Sequence, residues 1–198
     1  AITLAKMAGG TDGNVISFDT SGNPVAVATG DDGQVLTSSG AGAVCAFETL
    51  SAGLTLGTPV ATTSGTTATF SGIPSGVTQI NILLDKVSFS AAVNPLIQLG
   101  DAGGLETSGY VSTFNTITTT SIVSYGSSTS GIFIGGFTAD AAQISGVVTL
   151  RLANSSTNTW VHSFGFGSSV TNQTLAGGGT KSLSAVITQF QINGGTLD

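Results

Sequence analysis

The strongest constraint on the fold of this chain is an internal repeat with a period of 20 residues. TDGNVIS at residues 11–17 matches DDGQVLT at residues 31–37 in residue type, position by position. Asp-Gly predicts a tight turn, because Gly accepts a positive φ and Asp hydrogen-bonds its own backbone. A second turn signal in each copy precedes another apolar run, at residues 25–28 and 44–47. Each copy is therefore predicted to form two short strands joined by turns.

A single copy of the repeat carries too few large side chains to bury a hydrophobic core. Such a unit needs stacked neighbours, or copies of itself from other chains, to cover its apolar face. Three copies wound about an axis would supply those neighbours and leave no strand edge open. Val15, Ile16, Val35 and Leu36 are the predicted axis-facing residues, and the alternative is that they pack inside one chain.

The composition favours a surface of hydroxyl and amide groups, or one that is covered by partners. Only 7% of the residues are charged, against about 25% in an average soluble domain, and 29 residues are Gly. The hydrophobic fraction is 40%, yet no apolar run approaches the roughly 18 residues that cross a bilayer. We therefore expect no membrane insertion, and the N-terminal residues do not predict a signal peptide.

The charged residues exclude some partners. The net charge is −6, and the basic residues Lys6, Lys86, Arg151 and Lys181 lie far apart in the sequence. Nucleic-acid binding requires a cluster of basic side chains, so no nucleic-acid partner is expected. The single cysteine, Cys45, excludes an intrachain disulfide and is expected to be a small buried side chain.

The sequence pattern divides the chain into three parts and predicts an all-β fold. Residues 1–50 form the repeat segment, which we interpret as a shaft or trimerisation segment. Residues 51–65, rich in Gly, Ser and Thr, are the predicted linker. Residues 66–198 contain about eight short strand patterns separated by turns, which predict an antiparallel β-sandwich or jelly roll. Helical periodicity of useful length is absent from the sequence.

Several strands are predicted from alternating apolar side chains. The alternation changes parity after Leu84, so a β-bulge is predicted at Asp85-Lys86 to keep the following Val87 and Phe89 directed inward. Residues 183–192 are the last predicted strand, and the run Gly177–Gly179 is interpreted as a flexible turn. Further sets predicted to share one face are Ile80, Ile82 and Leu84; Ile97 and Leu99; Val148, Leu150 and Leu152; and Trp160, His162, Phe164 and Phe166.

Two parts of the sequence carry a resemblance to a known class of proteins. LAKMAGGTDGNVISFDTSGNPVAVATGDDGQVLTSSGAGAVCAFETL resembles the short modules that recur in tail fibres of tailed bacteriophages and in other virion fibre proteins. The segments FSGIPSGVTQINILLDKVS, NPLIQLGD, SGY, NTWVHSFGF and GGTKSLSAVITQFQI are similar to C-terminal domains that end such fibres. The resemblance implies a homotrimeric, extracellular virion fibre that joins other virion proteins and whose distal domain attaches to the host surface.

The candidate receptor site lies in the longest polar stretch of the second part, residues 106–130. Sugar recognition uses aromatic faces for stacking and neutral hydrogen-bonding groups. Tyr110, Phe114, Asn115 and Tyr125 supply both in this stretch and are the predicted receptor-binding residues. The alternative is that these aromatic side chains pack locally in solvated strands and loops.

Catalytic and metal sites are not predicted. His162 is the only possible imidazole base, and its phase with three aromatic residues favours a core or interface position. Asp101 and Glu106 could form a glycosidase pair, but they flank a loop-like segment where exposed acids are ordinary. Residues 19–23 loosely resemble a calcium loop without its bidentate Glu. We therefore expect no enzymatic activity and no cofactor.

Two other functions fit the same composition. The chain could be a carbohydrate-binding or adhesin module of a secreted bacterial protein, or it could decorate a capsid. The repeat favours the fibre, because a solitary binding module has no need of a shaft segment.

Overall fold

The structure, a computed structural model, describes residues 9–50, 53–118, 121–135, 142–169 and 173–198. The chain divides into two compact units, Ala1–Gly57 (unit 1) and Thr58–Asp198 (unit 2), and the division falls within residues 51–65. All helical or strand structure in the described residues is β-strand, which confirms the all-β class. In the same residues, no helix that could span a membrane is present.

Unit 1 contains two β-hairpins, one from each copy of the repeat. β1 (Val15–Phe18) pairs with β2 (Pro24–Val27), and β3 (Gln34–Thr37) pairs with β4 (Ala46–Thr49). Both pairs are antiparallel. Cys45 directly precedes β4 and is half-buried.

The Asp-Gly turns form as the repeat predicts. Asn14 N–H donates to the carbonyl of Thr11 over 3.2 Å, and 20 residues later Gln34 N–H donates to the carbonyl of Asp31 over 3.1 Å. The glycines at the third position of these turns have φ of 81° and 85°, a conformation that favours glycine. The two copies therefore enter their hairpins by the same turn.

The two hairpins differ in register by one residue. Val27 pairs with Val15 in the first hairpin, but its equivalent in the second copy, Phe47, pairs with Leu36. The hairpin loop spans residues 38–45 in the second copy and only 19–23 in the first. A one-residue slip changes which side chains of the two strands share a face. Two similar sequences therefore present different surfaces.

Unit 2 contains eleven named strands in two antiparallel sheets. In chain order they are β5 (Thr67–Ser71), β6 (Gln79–Val87), β7 (Leu96–Asp101), β8 (Gly104–Leu105), β9 (Tyr110–Ile117), β10 (Ile122–Ser128), β11 (Ile132–Phe133), β12 (Ile144–Asn154), β13 (Thr159–Ser168), β14 (Thr174–Ser182) and β15 (Gln189–Asn193). The six-stranded sheet has the order β10-β9-β14-β13-β12-β6. The five-stranded sheet has the order β11-β7-β15-β5, with β8 paired to β7.

Side chains of both sheets form one hydrophobic core, as in a sandwich. In β13 every second residue from Trp160 to Phe166 is buried and the residues between them are exposed. These side chains share one buried cluster with Ile97 and Phe190 of the five-stranded sheet. The sets of inward-facing residues predicted from alternation are confirmed, with Ile80 and Leu152 partly buried at the margin of the core.

The predicted bulge in β6 is confirmed. The register of the β6–β12 pair shifts between Leu84, which pairs with Gly146, and Val87, which pairs with Ile144. Lys86 has a positive φ of 52°, which is uncommon for a residue other than Gly. The extra residue lets Leu84 and Val87 both enter the core.

The prediction that Gly177–Gly179 form a flexible turn is wrong. These residues lie in the middle of β14, between β13 and β9. A Cβ atom at Gly177 would collide with the Phe164 ring, and one at Gly179 with the carbonyl of Val111. Glycine is present because neighbouring groups fill the space of a side chain.

The prediction of one strand over residues 183–192 is also wrong in extent. Only β15 forms there, although Leu183 and Ile187 in the preceding segment are buried. The mixed parity of this run reflects an irregular segment that packs into the core before the strand begins.

Candidate functional site

The surface that best fits the predicted receptor site lies at the β9–β10 edge of the six-stranded sheet. Asn115 of β9 pairs with Tyr125 of β10, and Thr113 pairs with Ser127. Their side chains lie on the outer face, because buried residues alternate with exposed ones along β9. The Tyr125 ring is 84% exposed. These four residues, with Phe114 and Gly126, line a shallow pocket of about 360 Å³.

The groups at this pocket suit a neutral ligand. Its lining contains a phenol, an amide and two hydroxyls, and it contains no charged side chain. An exposed aromatic ring can stack on the C–H face of a sugar, and amide and hydroxyl groups can hydrogen-bond its hydroxyls. The pocket lining offers no acid, base or nucleophile pair for catalysis.

Two of the predicted receptor residues are core residues instead. Tyr110 is 1% exposed, its Oη accepts from Leu99 N–H at 2.7 Å and donates to the Glu106 carbonyl at 2.9 Å. Burial raises the pKa of Tyr110 to about 12. Phe114 is buried with its ring edge-on to Phe133, at a centroid distance of 4.5 Å. Neither ring offers an exposed face to a receptor: Tyr110 is buried away from the pocket, and Phe114 borders the pocket but is only 3% exposed.

Asn115 and Tyr125 remain the predicted receptor residues. The structure brings these two together as a cross-strand pair. Parity alone could have separated Asn115 from Tyr110 and Phe114, because Phe114 and Asn115 are neighbours in one strand and point to opposite faces. The placement of Tyr125 beside Asn115 depends on the register between β9 and β10. Residues 119 and 120 of the predicted stretch lie outside the described residues.

Asp101 and Glu106 come together, but around a serine. Ser184 Oγ donates to Asp101 Oδ2 at 2.6 Å, and Ser184 N–H donates to Glu106 Oε1 at 2.6 Å. Glu106 Oε2 also forms an ion pair with Lys181, whose Nζ lies 5.2 Å from the centre of the Tyr110 ring. This polar cluster ties the segment after β14 to β7 and to the β8–β9 connection.

The pKa values of both carboxyl groups are lowered. The hydrogen bond from Ser184 Oγ is the main cause for Asp101. Burial raises the pKa of Glu106, but the hydrogen bonds from Lys181 and Ser184 outweigh that effect. A glycosidase general acid needs a raised pKa so that it holds its proton. The geometry therefore favours a structural role for this pair.

His162 lies in the core, as its phase with the aromatic residues predicts. It is 3% exposed, and its Nε2 is 3.3 Å from Ser112 Oγ, which accepts a hydrogen bond from Phe133 N–H. Burial lowers the pKa of His162 to about 4, so the ring is neutral at pH 7. Ser112 is buried as well, so a substrate could not reach this Ser–His pair.

In the loop at residues 19–23, backbone N–H groups of the loop itself donate hydrogen bonds to the carboxylate of Asp19. Asp19 Oδ1 accepts from the N–H groups of Ser21 at 2.8 Å and Asn23 at 2.9 Å, and the Asn23 hydrogen bond is the main cause of a lowered pKa at Asp19. This is the geometry of a turn stabilised by its own aspartate. In the part of the chain that the structure describes, no cluster of His, Cys, Asp and Glu could hold a metal ion.

The four predicted axis-facing residues cannot all face one axis. Val15 and Ile16 are neighbours in β1, and Val35 and Leu36 are neighbours in β3, so each pair points to two opposite faces. Ile16 is 52% exposed, whereas Val15 is half-buried. The prediction is therefore corrected: at most one residue of each pair can face a given axis.

The exposed side of the first hairpin is entirely apolar. Ile16 pairs with Ala26, and Phe18 pairs with Pro24, so these four side chains share one face. All four are exposed, and Phe18 is 61% exposed. Phe18 and Pro24 were missed because the sequence repeat does not extend to them, although alternation from Ile16 would have found Phe18. We call these four residues the hairpin face.

Comparison with known proteins assigns neither a family nor a function to the chain. The chain matches no protein-family model, no curated protein and no solved structure.

Proposed function

We propose that this chain is a structural fibre protein of a bacteriophage virion. It acts as an extracellular homotrimer, unit 1 serves as the trimerised repeat segment, and unit 2 attaches the virion to a neutral glycan on the host surface. The proposal rests on the resemblance of the repeat and of the second part to virion fibre segments, and on the apolar surface of unit 1.

The main structural support for the trimer in this proposal is the exposed hairpin face of unit 1. Among the described residues of unit 1, Val27 is the one large apolar side chain that is buried. The unit therefore leaves apolar side chains such as Ile16 and Phe18 in water, at a cost of roughly 1.5–3 kcal/mol for each large side chain. Copies of the same hairpin packed about a three-fold axis would cover the face on every chain.

The attachment role rests on the Tyr125 pocket. A site with one exposed aromatic ring and neutral polar groups binds weakly by itself. Three such sites held on one trimer gain avidity, because binding at one site raises the effective concentration of ligand at the others. Weak individual sites are therefore compatible with firm attachment.

A carbohydrate-binding module of a secreted bacterial protein is the second candidate function. It is favoured by one observation, that unit 2 has a hydrophobic core of its own. Such a module would work as a monomer. Decoration of a capsid is a third use of the same surfaces.

Native mass tests the trimer. Light scattering of the full chain should give about three times 19.4 kDa. The double variant Ile16→Lys/Phe18→Lys should dissociate to monomers, because six lysines would meet at the axis. Thr20→Lys, in the exposed loop of the same hairpin, is the matched control and should stay trimeric. A wild-type chain that remains monomeric at high concentration contradicts the fibre proposal and leaves the binding module.

Glycan binding tests the attachment site. On an array of neutral glycans, Tyr125→Ala should lose at least about tenfold in affinity while Tyr125→Phe retains binding, because the ring face makes the contact. Binding should change little between low and high salt, since the pocket carries no charge. Equal binding by the Ala and Phe variants would exclude this pocket as the site.

A further inference from the structure

A second pocket adjoins the Tyr125 pocket, on the side of β10 that faces the five-stranded sheet. Its volume is about 210 Å³. The strands that line it are β10 and β11, which end the two sheets, and β7, which pairs with β11. Ser127 lines both pockets, so the two are continuous across β10. We call the second one the Asn94 pocket, and its lining residues are Asn94, Leu96, Ser127, Ser128, Ser130 and Phe133.

The two pockets rest on one pair of packed aromatic rings. Phe114 lines the Tyr125 pocket, Phe133 lines the Asn94 pocket, and the two rings meet edge-on at a centroid distance of 4.5 Å. Gly126 of β10 lies against both rings, because a Cβ atom there would come within 2.6 Å of Phe114 Cε1 and 2.8 Å of Phe133 Cε1. Closely packed groups hold fixed positions. The two pockets are therefore held at a fixed separation.

Hydrogen bonds fix the turn between β10 and β11, which forms one wall of the Asn94 pocket. Ser130 N–H donates to Ser128 Oγ at 3.1 Å, and Gln98 Nε2 donates to the Ser130 carbonyl at 2.9 Å. Gln98 is 8% exposed, and its Oε1 accepts from Asn193 Nδ2 at 2.6 Å. The turn is thereby tied to β7 and β15 of the five-stranded sheet. A wall that is ordered before a ligand arrives reduces the entropy lost on binding.

The chemistry of the Asn94 pocket matches that of the Tyr125 pocket. None of its six lining residues is charged, and they supply one amide, three hydroxyls and the apolar side chains of Leu96 and Phe133. Asn94 and Ser130 are exposed to solvent. Sites that bind small ligands combine an apolar lining with a few polar groups that fix orientation, and a sugar unit presents both C–H and hydroxyl groups. Both pockets therefore suit the same class of neutral ligand.

We propose that the two pockets are adjacent subsites of one groove, which binds a neutral oligosaccharide of at least two sugar units. One unit stacks on the Tyr125 ring, the glycan crosses β10 at Ser127, and the next unit hydrogen-bonds to Asn94 and Ser130. This inference rests on the glycan attachment proposed for unit 2 and adds the length of glycan that the site requires. Two linked units gain contacts in both pockets but lose translational freedom only once.

The dependence of affinity on glycan length tests the groove. The probes are free linear oligomers of glucose, galactose, mannose and N-acetylglucosamine with one, two and four units, titrated into the full chain by calorimetry. For the sugar that binds, affinity should rise at least about tenfold from one unit to two, and little from two to four. Equal affinity for one and two units would overturn the groove and leave attachment at Tyr125 standing. Absence of binding to every probe would contradict both.

Variants in the two pockets provide the second readout. Asn94→Ala should lower the affinity for two units towards that for one unit and leave the affinity for one unit unchanged, whereas Tyr125→Ala should lower the affinity for every length. Thr129→Ala is the matched control, because Thr129 is exposed in the same turn as Ser130 and lines neither pocket. A length dependence that Asn94→Ala leaves intact, or an equal loss at both lengths, would overturn the assignment of the second subsite.

Discussion

Lys86 N–H donates a hydrogen bond to Ser145 Oγ over 2.9 Å, at the point where β6 shifts its register against β12. The bulge turns Lys86 to a φ of 52°. Such a conformation costs an ordinary residue of order 1 kcal/mol and a β-branched residue more. The bulge is nevertheless retained, because it directs both Leu84 and Val87 into the core.

The stability of variants at position 86 should therefore depend on how well the new residue tolerates a positive φ. Lys86→Val should lower the free energy of unfolding by about 1–2 kcal/mol, whereas Lys86→Asn should change it by less than about 0.5 kcal/mol. Urea unfolding of the full chain measures both. Equal stability of the two variants would mean that the backbone at this position is not constrained as described.

Two glycine substitutions should show whether the glycines of β14 are required for close packing against neighbouring strands or for backbone flexibility. Gly179→Ala should destabilise the fold by about 3 kcal/mol or more, because its Cβ would collide with the Val111 carbonyl and crowd the His162 ring. Gly165→Ala is the control in the adjacent strand, where the space is open, and should be neutral or stabilising by up to about 1 kcal/mol. Thermal unfolding compares the two, and similar losses would argue against the packing at β14.

Stability should fall as the pH drops from about 6.5 towards 4. His162 is the chain's one histidine, and burial lowers its pKa to about 4 in the folded state. In this window the unfolded chain binds a proton that the folded chain does not, so the unfolding free energy decreases by at most about 1.4 kcal/mol per pH unit. Above pH 6.5 the effect is absent.

The variant His162→Gln should flatten this dependence between pH 6.5 and 5. The lowered pKa values of Asp101 and Glu106 act at lower pH, where the unfolded carboxyl groups begin to bind protons. Urea unfolding at pH 7.5, 6.0 and 5.0 separates the two effects. A wild-type stability that is constant over this range would show that His162 does not resist protonation.

Substitutions of Lys181 and Glu106 should have strongly non-additive effects on the free energy of unfolding. Lys181 is almost fully buried, so Glu106→Gln leaves an uncompensated ammonium group and should destabilise by about 3 kcal/mol. The double variant Lys181→Met/Glu106→Gln should recover part of that loss, because neither charge is then buried. A double-mutant cycle from urea unfolding gives the coupling, and strictly additive losses would mean that the ion pair contributes nothing.

The sequence predicted the parts of the fold that depend on local chemistry. The Asp-Gly turns follow from the need for a positive φ at Gly13 and Gly33, and both form. The bulge at Asp85-Lys86 follows from a change of parity between apolar residues, and it forms as well. The placement of His162 among three aromatic residues follows from a period of two.

The candidate site was predicted only in part, because composition does not say which side of a strand faces solvent. Tyr110 and Phe114 belong to the buried parity of β9, and Asn115 belongs to the exposed parity. The same difference separates Val15 from Ile16 in β1. The cluster at Ser184 was not predicted, since it joins residues about 80 positions apart.

By itself, the sequence determined the all-β class, the turns, the bulge and the inward parity of the long strands, since these depend on φ preferences and on alternation within a few residues. Only the tertiary structure decided that Gly177–Gly179 are central strand residues, that the second hairpin is slipped by one residue, and that Leu83, Val147 and Gly165 are neighbours across three strands. These outcomes depend on which strands become neighbours. That choice is made by the packing of side chains distant in sequence, and no local pattern encodes it.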